Sequence, residues 1–89
     1  MTIPAKRTFL ARAIYHHRTR TSEHATLLVY RDAAGAYELL DDRESAHEYP
    51  AGSEQYILDE WRNRNQRLIE EGYQRDNLAG EPKWQQFIT

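Results

Sequence analysis

The chain has 89 residues, with 12 Lys and Arg against 14 Asp and Glu, and it contains no cysteine. This length predicts a single domain, residues 1–89, that buries roughly 60–65% of its unfolded surface and has no room for a deep enclosed site. The lack of cysteine excludes disulfides, thiolate catalysis and thiolate zinc sites. A hydrophobic content of 39%, with 11% aromatic residues, predicts an ordered domain.

No part of the sequence has the apolar core of a secretory signal. No window approaches the roughly 18 apolar residues of a membrane span either. We therefore expect a cytoplasmic protein that has no membrane partner.

Charge is distributed unevenly along the chain. The first 22 residues contain five cations and no acid, whereas the remaining 67 contain seven cations and 14 acids, so the two parts carry +5 and 7 − 14 = −7. Separate surface patches of opposite charge would orient a charged partner during association. This polarity is the main indication of function in the sequence.

The segment 8–17 has two interpretations. Some of its residues alternate as in a strand: Phe9, Ala11, Ala13 and Tyr15. Another set would share one side of a helix: Leu10, Ala13, Ile14 and His17. We favour the strand and keep the helix as the alternative.

The next two segments, 24–31 and 36–40, flank a short turn that contains Gly35. The first is rich in β-branched and aromatic residues, and together the two predict a β-hairpin. With segment 8–17 as a strand, they form a three-stranded antiparallel meander. Alternation then predicts this core face: Phe9, Ala11, Ala13, Tyr15, Leu28, Tyr30, Tyr37 and Leu39. The other face would carry Leu10, Ile14, Leu27, Val29 and Leu40, so we expect the C-terminal tail or another chain to cover part of it.

A long helix is predicted between Ser53, a suitable N-cap, and Gly72, a suitable stop. The predicted buried stripe is Ile57, Leu58, Trp61, Asn65, Leu68 and Ile69. The predicted solvated side is Asp59, Glu60, Arg62, Arg64, Arg67, Glu70 and Glu71.

The tail 73–89 contains Trp84, Phe87 and Ile88 after Pro82, a spacing that suits a short helical turn or an edge strand. We expect it to pack on the sheet, with docking to a neighbouring subunit as the alternative. The predicted fold is therefore α+β: a small antiparallel sheet of about three strands, a meander, packed against one long helix, with a short C-terminal tail.

The histidines raise the question of a metal site. In the predicted meander His17 and His24 would lie opposite each other across the first hairpin, with His16 on the reverse face and Glu23 as a further ligand. The spacing matches no established signature, and there is no His-Glu-x-x-His pattern. The sequence therefore predicts no metal site, and a metal-binding domain that uses the histidines is kept as an alternative.

Catalytic patterns are also lacking. The four glycines stand singly at separate turns, and no phosphate-binding loop or Ser/His/Asp set is recognisable. Adjacent acids such as Asp41-Asp42 in a turn rarely gain the burial that shifts a catalytic pKa. We expect no enzymatic activity and no cofactor, with a small enzyme as the remaining alternative.

The cationic first part of the chain could contact nucleic acid, because cations and aromatic rings bind phosphates and bases. The candidate basic patch is Arg12, His16, His17, Arg18 and Arg20. The chain as a whole carries a net charge of −2, whereas a dedicated nucleic-acid binder usually runs clearly basic. Direct nucleic-acid binding is therefore the alternative rather than the favoured function.

The acidic middle of the chain is the favoured partner-binding region, because it interleaves carboxylates with tyrosines, which suit interfaces. The candidate residues are Tyr37, Asp41, Asp42, Glu44, Glu48 and Tyr49. They predict a small non-catalytic protein-binding module that regulates or inhibits a larger protein, for example a nucleic-acid-handling one. A phage or mobile element would encode such an inhibitor. A homodimer through the second sheet face is a further expectation.

Overall fold

The computed structural model describes residues 7–43 and 47–89, and it confirms an α+β fold with a long helix. The elements in chain order are β1 (Arg7–His17), β2 (His24–Asp32), β3 (Tyr37–Asp41), β4 (His47–Tyr49), α1 (Glu54–Glu70), β5 (Tyr73–Gly80) and α2 (Pro82–Gln86). All strands join one antiparallel sheet in the order β4-β3-β2-β1-β5. The sheet therefore has five strands rather than about three, because β4 and β5 extend the predicted meander at its two edges.

The segment with two interpretations is a strand, β1, which pairs with β2 on one side and with β5 on the other. The predicted hairpin of β2 and β3 is also present. Its turn is closed by the Asp32 carboxylate, which accepts hydrogen bonds from the backbone N–H groups of Ala34 and Ala36, both at 2.9 Å. Aspartate favours this position because its short side chain can bond the backbone of its own turn.

The core face of the sheet differs from the predicted one. The β1–β2 register shifts between Phe9 and Ala11, so that Phe9 lies opposite Tyr30 whereas Ala11 lies opposite Val29. Such a bulge changes which residues of a strand point to each face. The bulge accounts for Phe9, which was predicted to face the core and does not. The prediction that Leu28 and Tyr30 face the core is wrong for another reason: the first hairpin pairs His16, rather than His17, with His24, and this one-residue difference in register puts Leu28 and Tyr30 on the other face. The buried residues of the central strands are Leu10, Ala11, Ala13, Tyr15, Ala25, Leu27, Val29, Tyr37 and Leu39.

Helix α1 packs on this core face through Ile57 and Trp61, both fully buried. Two details of the predicted helix are wrong. Ile69, predicted in the buried stripe, is 42% exposed, and Arg64, predicted on the solvated side, is only 5% exposed. Arg64 follows Trp61 by three residues and therefore lies on the same side of the helix. Its charge is compensated by the buried carboxylate of Asp41, at 2.7 Å.

The C-terminal helix α2 lies on the same side of the sheet as α1. The ring of Trp84 lies 6.3 Å from that of Trp61 and 6.4 Å from that of Tyr37, and the Trp61 Nε1–H group donates to the Trp84 carbonyl at 3.0 Å. The tail thus packs on the core, as expected, but it does not cover the second sheet face. None of the helices among the described residues is long and apolar enough to cross a membrane.

Candidate interaction surface on the open face of the sheet

The sheet surface opposite the two helices is called the open face below. Strand alternation and the pairing registers define its residues. They are Arg7, Phe9, Arg12, Ile14 and His16 of β1; His24, Thr26, Leu28, Tyr30 and Asp32 of β2; Glu38 and Leu40 of β3; Glu48 of β4; and Gln74, Asn77 and Ala79 of β5. No described helix packs against this surface.

The centre of the open face is apolar. Its members are Phe9, Ile14, Leu28, Tyr30 and Leu40, which we call the apolar centre. Leu28 pairs with Arg12 of β1 on one side and with Leu40 of β3 on the other. The Phe9 and Tyr30 rings pack edge to face, with their centres 6.1 Å apart. Phe9 is 41% exposed, and the others are half-buried. A sheet face that only meets water usually carries polar residues, so this composition is typical of a contact surface.

Arg12 is the cation at the middle of the open face. Its Nη2 group donates to the Asn77 Oδ1 atom at 3.1 Å, while its Nε atom is buried and has no hydrogen-bond acceptor in residues 7–43 and 47–89. No carboxylate of the described residues lies within ion-pairing distance of Arg12. Buried donors usually have an acceptor in the protein, an ordered water or a ligand, so this Nε–H group is a candidate contact point for a partner.

The end of the open face near the β2–β3 turn is mainly acidic. The Arg7 guanidinium lies 4.7 Å from the centre of the Tyr30 ring and donates to Glu38 at 2.5 Å. Glu48 lies directly opposite Glu38 in the β3–β4 register, an unfavourable pairing of like charges. These residues, with Asp32, border a shallow cavity of about 130 Å³. Among the described residues, Arg7 is the only cation that lines it.

The opposite end of the open face carries histidines. His16, rather than His17, lies opposite His24, and its Nδ1 atom is 2.5 Å from an Asp76 carboxylate oxygen. His17 is buried on the helix side of the sheet, which corrects the predicted pairing of His17 with His24. Within residues 7–43 and 47–89, no group of three or more His, Asp or Glu side chains is arranged to hold a metal ion.

His17 has a structural role. Its Nδ1 atom accepts hydrogen bonds from the backbone N–H groups of Thr19 and Arg20, at 3.2 and 3.0 Å, so its Nε2 atom carries the proton and donates to the Glu71 carbonyl at 3.0 Å. It therefore joins the β1–β2 turn to the end of α1. The other residues of the predicted basic patch are separated. Arg12 and His16 lie on the open face, whereas Arg18 and Arg20 are exposed at the turn, where Arg20 pairs with Glu23 at 3.2 Å.

The predicted acidic and tyrosine patch is divided by the fold. Tyr37 and Asp41 are interior residues. The Tyr37 hydroxyl donates to Glu54 at 2.9 Å, and its pKa is raised first by burial and then by this hydrogen bond. Asp41 is paired with Arg64. Both side chains are therefore largely buried and hydrogen-bonded within the fold, although Tyr37 also borders the cavity beside Glu38.

The remaining members of that patch occupy different environments. Tyr49 is half-buried against the core, and burial, followed by the nearby Glu60 charge, raises its pKa. Asp42 is exposed and accepts a hydrogen bond from the Thr26 N–H group at 3.0 Å. Glu48 is exposed at the acidic end of the open face, and Glu44 lies outside the described residues.

The charge polarity of the sequence is partly offset in the fold, because two basic residues of β1 contact acids from later elements. Arg7 contacts Glu38 of β3, and His16 contacts Asp76 of β5. Arg12 of the same strand has no such partner among the described residues. The open face is distinguished by its apolar centre rather than by net charge.

Comparison of the chain with protein-family models, with curated proteins and with solved structures finds no match. The class that the structure defines is a small α+β domain in which helices cover one sheet face and no described helix covers the other. Sequence reasoning missed Phe9, Leu28 and Tyr30 as residues of that second face. The bulge in β1 displaced Phe9, whereas Leu28 and Tyr30 were misassigned because the predicted β1–β2 register was off by one residue.

Proposed function

We propose that this chain is a non-catalytic protein-binding module that regulates or inhibits a larger protein by docking through the open face. The observation that carries the proposal is the apolar centre, which no described helix covers. Burying apolar surface contributes about 25 cal/mol per Å² before the costs of association, so a partner that covers this centre gains a favourable contact. Aromatic residues and arginine, both present here, are enriched where interfaces derive most of their binding energy.

A binding role rather than a catalytic one is supported by the titratable groups with shifted pKa values, since these stabilise the fold. Burial beneath α1 raises the pKa of Tyr15 to about 12, and its hydroxyl donates to Asn65 at 2.7 Å. Hydrogen bonds from Lys83 and Tyr37 lower the pKa of Glu54, which ties the start of α1 to α2 and the sheet. Neither group lines the cavity of the open face, and Tyr37, which does line it and has a raised pKa, uses its hydroxyl to bind Glu54.

Nucleic-acid binding is the second candidate, because the open face pairs two aromatic rings with nearby arginines. Phe9 and Tyr30 could stack on bases, and Arg12 could contact a phosphate. The carboxylates of Glu38 and Glu48, however, lie beside Tyr30 and would repel a phosphate backbone. This arrangement favours a protein partner.

Affinity capture from extracts of the native host tests the proposal with a matched pair of variants. Phe9 and Ile69 are exposed by 41% and 42% but lie on opposite sides of the domain. Phe9→Lys is expected to weaken capture of the partner by about 30-fold, the effect of losing roughly 2 kcal/mol at an interface hot spot. Ile69→Lys should leave it unchanged. Equal capture by both variants would contradict docking through the open face.

Two measurements on the purified protein separate the alternatives. A gel shift with single-stranded DNA and RNA at low and physiological salt detects nucleic-acid binding, which would weaken steeply as salt rises. Light scattering detects a homodimer, in which the partner is a second copy of the chain. In that case Phe9→Lys, but not Ile69→Lys, should yield a monomer.

A further inference from the structure

The guanidinium of Arg12 has an incomplete set of hydrogen bonds at the centre of the proposed docking surface. The Nε and Nη2 atoms form one edge of this planar group and carry two donors that point the same way. Asn77 accepts from Nη2 at 3.1 Å, whereas Nε is buried and has no acceptor. The Asn77 oxygen is thus the single acceptor at a guanidinium edge whose two donors can bind two oxygens.

We infer that Arg12 binds a carboxylate group of the partner protein, an aspartate or glutamate side chain or a chain terminus; this inference rests on the proposed function. A carboxylate has two coplanar oxygens, which match the two donors of the guanidinium edge, and such bidentate pairs are stronger than neutral hydrogen bonds. It would displace the Asn77 oxygen and supply the acceptor that Nε lacks. Asn77 is exposed on the edge strand β5 and can turn away.

The surroundings of Arg12 favour a carboxylate carried by an otherwise apolar partner segment. In the registers Arg12 lies opposite Leu28 on one side and Ala79 on the other, with Ile14 next on the same strand face. Docking would remove water from this site and strengthen the ion pair. A polyanion fits less well, because Glu38 and Glu48 lie on the same face.

The inference is tested without the partner by NMR of the arginine Nε–H groups in the ¹⁵N-labelled protein. Sodium acetate is titrated at constant ionic strength, and inorganic phosphate is titrated in parallel. The Arg12 signal is expected to shift and saturate with acetate. The Nε–H signal of Arg62, an exposed arginine of α1, is the internal control and should show no saturation.

Two variants of Asn77 are the matched controls. Asn77→Asp places the chain's own carboxylate beside Arg12 and should weaken the acetate response about tenfold or more, since the donors are already satisfied. Asn77→Ala removes the competing oxygen and should preserve or strengthen the response. The circular dichroism spectrum of each variant verifies that it is folded.

An Arg12 response that is as linear as that of Arg62 would overturn the inference, and so would saturation with phosphate but not with acetate. These results are independent of the capture experiment. A saturable acetate response without selective capture would leave the Arg12 site standing and refute the proposed function. Selective capture without the acetate response would support the proposed function and refute the Arg12 site.

Discussion

The adjacent acids Asp41 and Asp42 provide the sharpest test of the structure. They are the same residue type at consecutive positions, but the fold buries one and exposes the other. Asp41 is buried, and its carboxylate accepts from Arg64 Nη1 at 2.7 Å and from the Arg43 N–H group at 3.0 Å. Asp42 is exposed and accepts only from the Thr26 N–H group, at 3.0 Å. The perturbation is therefore the same substitution, aspartate to asparagine, at two consecutive positions.

The expected magnitudes differ because only Asp41→Asn breaks a buried ion pair, the one between Asp41 and Arg64. Removing one member of a buried ion pair typically costs about 3–5 kcal/mol. Arg64 keeps a second carboxylate, Glu60, at 2.6 Å, so we expect the lower end, about 3 kcal/mol, for Asp41→Asn. An asparagine at position 42 can still accept from the Thr26 N–H group, so Asp42→Asn should cost about 0.5 kcal/mol or less.

Urea unfolding at neutral pH, followed by tryptophan fluorescence, gives both values. In thermal melts the same loss would lower the Tm of Asp41→Asn by about 12–24 °C, since 1 kcal/mol corresponds to about 4–8 °C in a domain of this size. Equal stabilities of the two variants would refute the assignment of Asp41 to the interior. So would an Asp41→Asn variant that is fully stable and fails only in partner capture, because that is the behaviour of a surface contact residue.

Two further predictions concern the core and the strand edge. The pKa of Tyr15 is raised from 10.0 to about 12 by burial, so its contribution to stability is intact below pH 10 and is lost as the pH rises towards 12. From this shift, the free energy of unfolding of the wild type, measured in urea, should fall by about 1.4 kcal/mol more than that of Tyr15→Phe between pH 9 and 11. A stability difference between the two proteins that does not change with pH would contradict this prediction. Gly80→Ala would place a Cβ atom 2.2 Å from the Leu10 carbonyl oxygen, whereas at Gly52, which also has positive φ, nothing lies within 4 Å. Gly52→Ala should therefore lower the free energy of unfolding by about 1–2 kcal/mol, and Gly80→Ala should lower it by at least about 2 kcal/mol more. Equal Tm values of the two variants would show that β1 and β5 do not approach so closely.

The sequence predicted the elements whose signal is local. The hairpin of β2 and β3 and the helix α1 combine suitable periodicity with turn or cap residues, and both are present. Strand β5 was not predicted, because its segment Gln74-Arg75-Asp76-Asn77 has little intrinsic preference for a strand. It forms through pairing with β1, a tertiary contact that the sequence does not display. The three-residue strand β4 is likewise defined by its partner, β3.

The candidate site was harder to predict than the fold, because one inserted residue, one strand register and one buried ion pair determine it. The bulge before Ala11 moves Phe9 to the open face. The pairing of His16, rather than His17, with His24 places Leu28 on the same face. The pairing of Asp41 with Arg64 removes both charges from the surface on which their residue types placed them. None of these features has a local signature in the sequence, whereas each decides which side chains a partner can reach.

The pairing of charges within the fold bears on where binding energy can come from. Exposed ion pairs such as Arg43 with Glu71 and Lys83 with Glu54 contribute little to stability, and breaking them to contact a partner would gain little. Arg12 differs from these residues. No carboxylate of the described residues lies within ion-pairing distance of it, and its Nε–H donor has no acceptor among them and lies amid apolar neighbours. Recognition through the open face would therefore combine apolar burial with a hydrogen-bonding capacity that the fold itself leaves unused. That combination, rather than the separation of charge along the sequence, is the physical basis for assigning a partner to this face.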